Sequence, residues 1–302
     1  MRYKNQSEIK KTQDFLLNNY YANTPDKHPD ELTKKYIYKH SKRFLFSLEL
    51  LPDSVVKPGA KILEIGAMPY CFSTLLIERF NVEVSALNLP NTIFPGEPYK
   101  ITNETIIIPN KQTQKQYKIK SWICNAEKDI YPFDDNIFDV VICTEVIEHL
   151  LYSPMHLFQE SQRVLRKDGL MLVSTVNALY YKRMVDIILN NNIDDVFTTL
   201  GCYGRHSRNW TQRELIELAN NSNFDVDYVT SATLRGTRSI YGTASAIAPM
   251  LERNITKPTY LSQVAKSLRK LFLNLVKVLV FLPLPGMRNK RYSNIFLLLR
   301  KN

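Results

Sequence analysis

The sequence predicts an α/β fold in which a mostly parallel sheet is covered by helices on both faces. Five short apolar runs lead to this reading: Lys61–Ile65, Val82–Leu87, Ile119–Cys124, Phe138–Cys143 and Leu170–Thr175. Each has the length and near-continuous hydrophobicity of a strand buried on both sides. Between them lie stretches of helical spacing, such as Cys71–Arg79 and His156–Leu165. Strands that alternate with helices imply βαβ units and parallel pairing. A chain of 302 residues with 44% hydrophobic and 23% charged content has the composition of a globular protein able to bury a sizeable core.

The elements follow in order. Residues 1–59 form a helical lead-in or lid. Asp30 caps a helix from Glu31 to about Leu51, with Leu32, Tyr36, Phe44, Leu48 and Leu51 turned inward. Pro52 ends it, and Pro58-Gly59 turns the chain into the first strand. Residues 60–250 form the core. Within it, residues 99–120 form a β-hairpin insertion with Pro109-Asn110 at the turn. Thr211 with Glu214 three residues on is a capping box, and Phe224–Val229 suits a further strand. Residues 251–302 hold a basic amphipathic helix, from about Thr259 to Leu282, and a terminal strand, "SNIFLLLR", that completes the sheet. The polar N-terminus "MRYKNQSEIKKTQDF" has no apolar stretch of the secretory kind, so the expected location is cytoplasmic.

Charge is distributed unevenly. Of the net +11, the segment from Leu251 holds eleven Lys/Arg against Glu252 alone, while the first 250 residues carry 29 basic and 28 acidic side chains. A near-neutral body disfavours a nucleic-acid partner. The tail, over residues 261–291, pairs Leu, Val and Phe with Lys266, Arg269, Lys270 and Lys277. That pattern suits a helix lying at an anionic membrane surface at the inner face, because Asn274, Lys277, Pro283 and Pro285 interrupt any span. The cysteines, Cys71, Cys124, Cys143 and Cys202, form no metal or disulfide pattern and read as reduced thiols.

Chemistry concentrates in three segments: "KILEIGAMPYCFS" (61–73), "NAEKDIYPF" (125–133) and "FDVVICTEVIEHL" (138–150). The first is a strand–turn–helix that presents backbone N–H groups at the sheet's carboxyl edge, where open α/β folds bind ligands. Leu63–Gly66, Asn125-Ala126-Glu127, Pro132-Phe133, Phe138–Val141, Glu145–Leu150 and Leu165–Gly169 stand in the order found in class I S-adenosylmethionine-dependent methyltransferases. Over about residues 60–180 the sequence resembles that family. "YGRHSRNWT" followed by a helix and "NFDVDYV" also resembles relatives that modify glycans.

The resemblance implies a Rossmann-like sheet of seven strands with an antiparallel last strand, and S-adenosylmethionine as cofactor. It implies that Glu64, Gly66 and Ala67 line the cofactor's amino-acid end, and that Asn88 meets the ribose. Asn125, Ala126 and Glu127 then lie by the adenine, and Thr144 and Glu145 by the methionine portion. Asn88 and Asn125 stand where the family has acids, Asp168 where it has a glycine, and Ala67-Met68-Pro69-Tyr70 replaces its glycine-rich loop. A ligand without phosphates does not need the close backbone approach those glycines allow.

A hydroxyl acceptor needs a general base near neutral pKa. His149, just past the fourth strand, and His206, in a polar loop with Tyr203, Arg205 and Arg208, are the candidates. The loop's other residues would bind the acceptor. His40 with Tyr36, Tyr38 and Arg43 would form a lid, and His28 and His156 read as surface residues. Glu145, Glu148 and His149 cluster without a further ligand at metal spacing, so no metal is assigned. The expected activity is O-methylation of a saccharide or lipid-linked glycan at the membrane face. The alternatives are a lipophilic, quinone-like acceptor or a non-catalytic binding protein.

Overall fold

A computed structural model describes residues 6–20, 31–89, 99–113, 115–180, 183, 204–234 and 292–302. Tyr203, His28, Cys202 and the basic helix expected at 259–282 lie outside the described residues.

Two helices lead: α1 (Gln6–Asn18) and α2 (Glu31–Leu50). The core follows as β1 (Lys61–Ile65), α3 (Cys71–Phe80), β2 (Glu83–Asn88), β3 (Thr102–Pro109), β4 (Gln116–Ile123) and β5 (Phe138–Thr144). It closes with α4 (Met155–Val164), β6 (Leu165–Val176), α5 (Gln212–Asn221), β7 (Phe224–Ala232) and β8 (Asn294–Lys301). The strands form one sheet in the order β3-β4-β2-β1-β5-β6-β8-β7. Pairing from β4 to β6 is parallel, and β8 runs antiparallel to both β6 and β7.

The sheet has eight strands rather than seven. The hairpin is the reason. Its first arm, β3, pairs antiparallel with β4 from Thr102↔Ile123 to Pro109↔Gln116 and covers the edge that β4 would otherwise expose.

Strand periodicity sorts the core into two layers. Ile62, Val84, Ala86, Val140, Ile142, Leu170 and Leu172 pack toward Phe44 and Leu48 of α2 and Phe72, Leu75 and Leu76 of α3. Leu63, Ile65, Val141, Cys143, Met171 and Val173 pack the other way, toward Leu157 and Phe158 of α4 and Leu215 and Ala219 of α5. Fully burying one such side chain contributes about 1.5–3 kcal/mol, so the two layers dominate the stability.

Two expectations need correction. Leu32 is 76% exposed. The inward stripe of α2 is Ile37, Ser41, Phe44 and Leu48, and a residue five positions before Ile37 lies about 140° around the helix from it. His156 is half-buried rather than freely solvated: its Nε2 bonds the Asp129 carbonyl at 2.8 Å, and its ring meets Tyr131 edge-on. The capping box at α5 forms as expected, with the Thr211 hydroxyl accepting from Glu214 N–H and the Glu214 carboxylate accepting from Thr211 N–H. Asp168, where the family has a glycine, takes φ 60°, a left-handed conformation that Asp tolerates better than most residues. Among the described residues, no helix is long and apolar enough to cross a membrane.

Candidate active site at the carboxyl edge of the sheet

The first half of the site is built around the β1–α3 turn. Gly66 has φ 72°, and a Cβ there would lie 2.6 Å from Val146 Cγ2, so both conformation and space require glycine. Its N–H donates to the Leu87 carbonyl, which ties the turn to β2. The Met68–Pro69 bond is cis, and Tyr70 opens α3 at φ 64°.

Asn88, at the end of β2, holds this turn. Its Oδ1 accepts from Met68 N–H at 2.9 Å, and its Nδ2 donates to Ser121 Oγ at 3.1 Å and Tyr70 OH at 3.3 Å. Tyr70 OH and Ser121 Oγ lie 2.9 Å apart. Both amide donors and one of two acceptor positions are therefore used. One acceptor lone pair of the amide is left over.

Glu64 is buried and receives the Ser73 hydroxyl. Burial pushes its carboxyl up to about 7, against the opposing pull of Ser73 and Arg43. Beyond β4, Asn125 closes a tight turn. Its side chain accepts from Glu127 N–H at 2.9 Å, and its own N–H donates to Asp129 at 2.7 Å. Glu127 is buried and caps the Tyr152 N–H, while the Ala126 carbonyl accepts from Tyr131 OH at 3.1 Å.

Thr144 ends β5 opposite Ser174, and Glu145 follows at φ 57° with its N–H on the Ser174 carbonyl. The Glu145 carboxylate is well held. Asn294 Nδ2 lies 3.0 Å from both of its oxygens, Ser174 Oγ is at 3.2 Å, and the buried Arg43 guanidinium is at 3.6 Å. Arg43 comes from α2, where the His40 ring packs on Tyr36 and Phe44, and Tyr38 is 55% exposed. Arg43 Nε is buried without a partner among the described residues.

The second half lies just past β5. Glu148 is fully buried. Its Oε2 accepts from the Thr175 hydroxyl at 2.8 Å, and its Oε1 has no partner among the described residues. Burial, with the nearby Glu145 charge adding to it, holds this carboxyl well above the usual carboxylate range. His149 and His206 stand edge-to-face with ring centroids 4.8 Å apart. His149 Nδ1 lies 2.9 Å from the Arg205 carbonyl. The loop is pinned by Ser207 N–H and Arg208 N–H donating to the Glu148 carbonyl. Arg208 itself pairs with Glu214 at 2.7 Å and lies 4.2 Å over the Trp210 ring.

Glu64, Gly66, Ala67, Asn88, Asn125, Ala126, Glu127, Thr144 and Glu145 thus stand at or just past the carboxyl ends of β1, β2, β4 and β5, and His149, five residues past β5, meets His206. The sequence reading missed Ser73, Ser121, Ser174, Thr175 and Asn294. For Ser121, Ser174, Thr175 and Asn294 the one signal is a small polar residue inside or beginning an apolar strand, and Ser73 stands in the first turn of α3. A groove of about 1200 Å³ lined by Lys61, Glu83, Gln116, Lys118 and Phe138 lies elsewhere. It gathers the strands' amino ends, opposite to where α/β sheets bind ligands.

This strand order, with β8 antiparallel and polar side chains converging at the carboxyl ends of β1, β2 and β5, defines the class I methyltransferase fold. Residues 100–173 match the family model described as a methyltransferase domain. A ubiquinone biosynthesis O-methyltransferase of Haemophilus ducreyi is 25% identical over 130 residues, 43% of this chain and 51% of that protein. An uncharacterized protein of Methanocaldococcus jannaschii is 31% identical over 107 residues, 34% of this chain and 47% of the other. The chain thus spans about half the length of the curated relatives it matches. Among solved structures, the candidate methyltransferase in complex with the Haloferax volcanii Trm112 methyltransferase activator aligns with TM-score 0.52 at 13% identity, covering 90% of this chain and 94% of its own. Residues 100–173 thus match a methyltransferase domain, set in a sheet of the class I methyltransferase fold.

Proposed function

We propose that the protein is an S-adenosylmethionine-dependent O-methyltransferase acting on a hydroxyl of a saccharide or lipid-linked glycan. The observation that carries this reading is the imidazole pair. His149 and His206 meet at 4.8 Å immediately beyond the β5 end where the methionine portion of the cofactor belongs. The residues also fit the cofactor. The buried Nε of Arg43, without a partner among the described residues, suits a carboxylate, Glu64 an ammonium, and the spare lone pair of Asn88 one ribose hydroxyl.

The bound cofactor supplies an activated methyl group, so the protein's main tasks are alignment and proton removal. The rigid turns at Gly66 and Asn125 hold the donor side. The loop of Arg205 and His206 presents the acceptor, and its hydroxyl proton passes to the imidazole pair. Arg208 acts through that loop, because its guanidinium is engaged by Glu214 and Trp210. The basic segment 261–291 supports contact with an anionic membrane surface. Binding to anionic liposomes that weakens with salt tests this, and indifference to such liposomes at low salt would end it.

A second reading, a lipophilic ring hydroxyl such as a quinone precursor, is favoured by the likeness to the Haemophilus ducreyi enzyme. Transfer of labelled methyl to saccharides against phenolic quinone precursors separates the two. Label on saccharide alone supports the first, and label on the phenol alone selects the second. Cofactor binding without transfer to either points to a non-catalytic binding protein.

A further inference from the structure

We propose that Glu148, His149 and His206 form a binding site for one divalent transition-metal ion. The cluster Glu145/Glu148/His149 lacks a further ligand in the linear sequence, and the fold supplies it from 57 residues away. Ser207 N–H and Arg208 N–H donate to the Glu148 carbonyl at 2.7 and 3.3 Å, and Trp210 Nε1 donates to the Ile147 carbonyl at 3.3 Å. These bonds fix the loop so that one ligand atom from each of Glu148, His149 and His206 lies within 4.8 Å of the others.

Two further observations point to an ion. Glu148 is fully buried, yet only its Oε2 is bonded, to Thr175; Oε1 has no hydrogen-bond partner among the described residues. A buried carboxylate oxygen without a donor is the group a cation satisfies. His149 Nδ1 faces the Arg205 carbonyl, which can only accept, so this nitrogen carries the proton and Nε2 the lone pair. A ligating histidine held by a backbone carbonyl through its other nitrogen is the usual outer-shell arrangement at metal centres. Glu145 stays outside the set because its carboxylate is occupied by Asn294, Ser174 and Arg43, but its charge adds to the negative potential.

Two imidazoles and one carboxylate suit Zn²⁺, Mn²⁺ or Co²⁺ and leave coordination positions open. Ligand bonds of about 2.0–2.2 Å put ligand atoms roughly 3–3.5 Å apart, so closure needs shifts of about 1–2 Å. Both imidazoles are half-buried, so such a shift does not require the packed core to move.

The ion's chemical role rests on the hydroxyl-acceptor reading and refines it. The acceptor oxygen takes an open position, the ion lowers its pKa, and its proton leaves to solvent. The O–CH₃ bond then forms as the S–CH₃ bond breaks, with that electron pair staying on sulfur. With the ion bound, the imidazoles act as ligands and not as bases.

The test uses the full chain, stripped with chelator and titrated with Mn²⁺ by electron paramagnetic resonance and with Zn²⁺ by calorimetry. The expected result is about one equivalent bound, with E148Q and H206A each weakening affinity at least about tenfold and H156A leaving it within about twofold. Absence of saturable binding, or equal binding by wild type, E148Q and H206A, would overturn the proposal. Far-ultraviolet dichroism and melting confirm that the variants fold, and cobalt substitution reports nitrogen ligation in the wild type. Calorimetry with S-adenosylmethionine on the same samples keeps the two readings apart. Cofactor binding without ion binding refutes the ion site alone, and ion binding without cofactor binding refutes the methyltransferase reading alone.

Discussion

The two halves of the site differ in how completely their polar groups are satisfied. Around Asn88, the turn N–H, the Tyr70 hydroxyl and the Ser121 hydroxyl close on one another, and the amide has a single acceptor position left. Around Glu148, a fully buried carboxylate keeps one oxygen without a partner among the described residues, and across the edge Arg43 keeps a buried N–H in the same condition. A closed network costs nothing further and fixes geometry, whereas an open buried group is costly until a ligand completes it. The Asn88 network is a rigid mould, whereas the open groups of Arg43 and Glu148 suit a ligand that completes them.

The largest break in this contrast comes from the rigid side. Gly66→Ala combines a left-handed φ with a Cβ 2.6 Å from Val146 Cγ2. It should cost about 3–4 kcal/mol in denaturant unfolding and abolish cofactor binding by calorimetry. Adding Val146→Ala should recover the steric share and leave the φ share. Full recovery would show that the conformation at Gly66 is not strained for alanine.

Glu64 gives the next effect through pH. Its carboxyl rises from 4.5 to about 7 on folding, by burial first, opposed by Ser73 and Arg43, with Tyr36 and Cys71 also facing it. The folded state then binds more protons than the unfolded state between these values. Stability is greatest below about 4.5 and falls as pH rises to about 7, by roughly 3 kcal/mol for this group. Other buried acids add to the same slope, so the measured quantity is the difference between wild type and E64Q across that window. Parallel curves would contradict the assignment.

Asn88→Ala should cost about 2 kcal/mol by leaving Met68 N–H unpaired, while Tyr70 and Ser121 still bond each other. Thermal melting checks this. A loss in cofactor affinity with unchanged stability would instead make Asn88 a ribose ligand and not a brace. Arg208→Ala should have the smallest effect, within about 1 kcal/mol, because its pair with Glu214 is exposed and its stack on Trp210 is modest. A large rise in acceptor KM would show instead that the guanidinium touches substrate.

Strand positions were readable because parallel strands buried on both faces give continuous apolar runs, and the capping box at Thr211 is a purely local signal. The eighth strand was not counted, since pairing of a hairpin arm on an edge depends on what else covers that edge. In the site, Glu64, Gly66 and Glu145 were legible from contiguous motifs. Ser121, Thr175 and Asn294 were not, because one polar residue in an apolar strand looks the same whether it serves the site or satisfies a local bond. Asn294 reaches Glu145 across 149 residues of sequence, and His206 reaches His149 across 57. Such meetings are products of topology, and no local spacing encodes them.

Calorimetric titration of the purified full chain with S-adenosylmethionine tests the central claim most directly. Saturable one-to-one binding that is lost in Gly66→Ala and weakened when Arg43 is replaced by methionine is the predicted result. No heat of binding at millimolar cofactor, from protein shown to be folded, would contradict it.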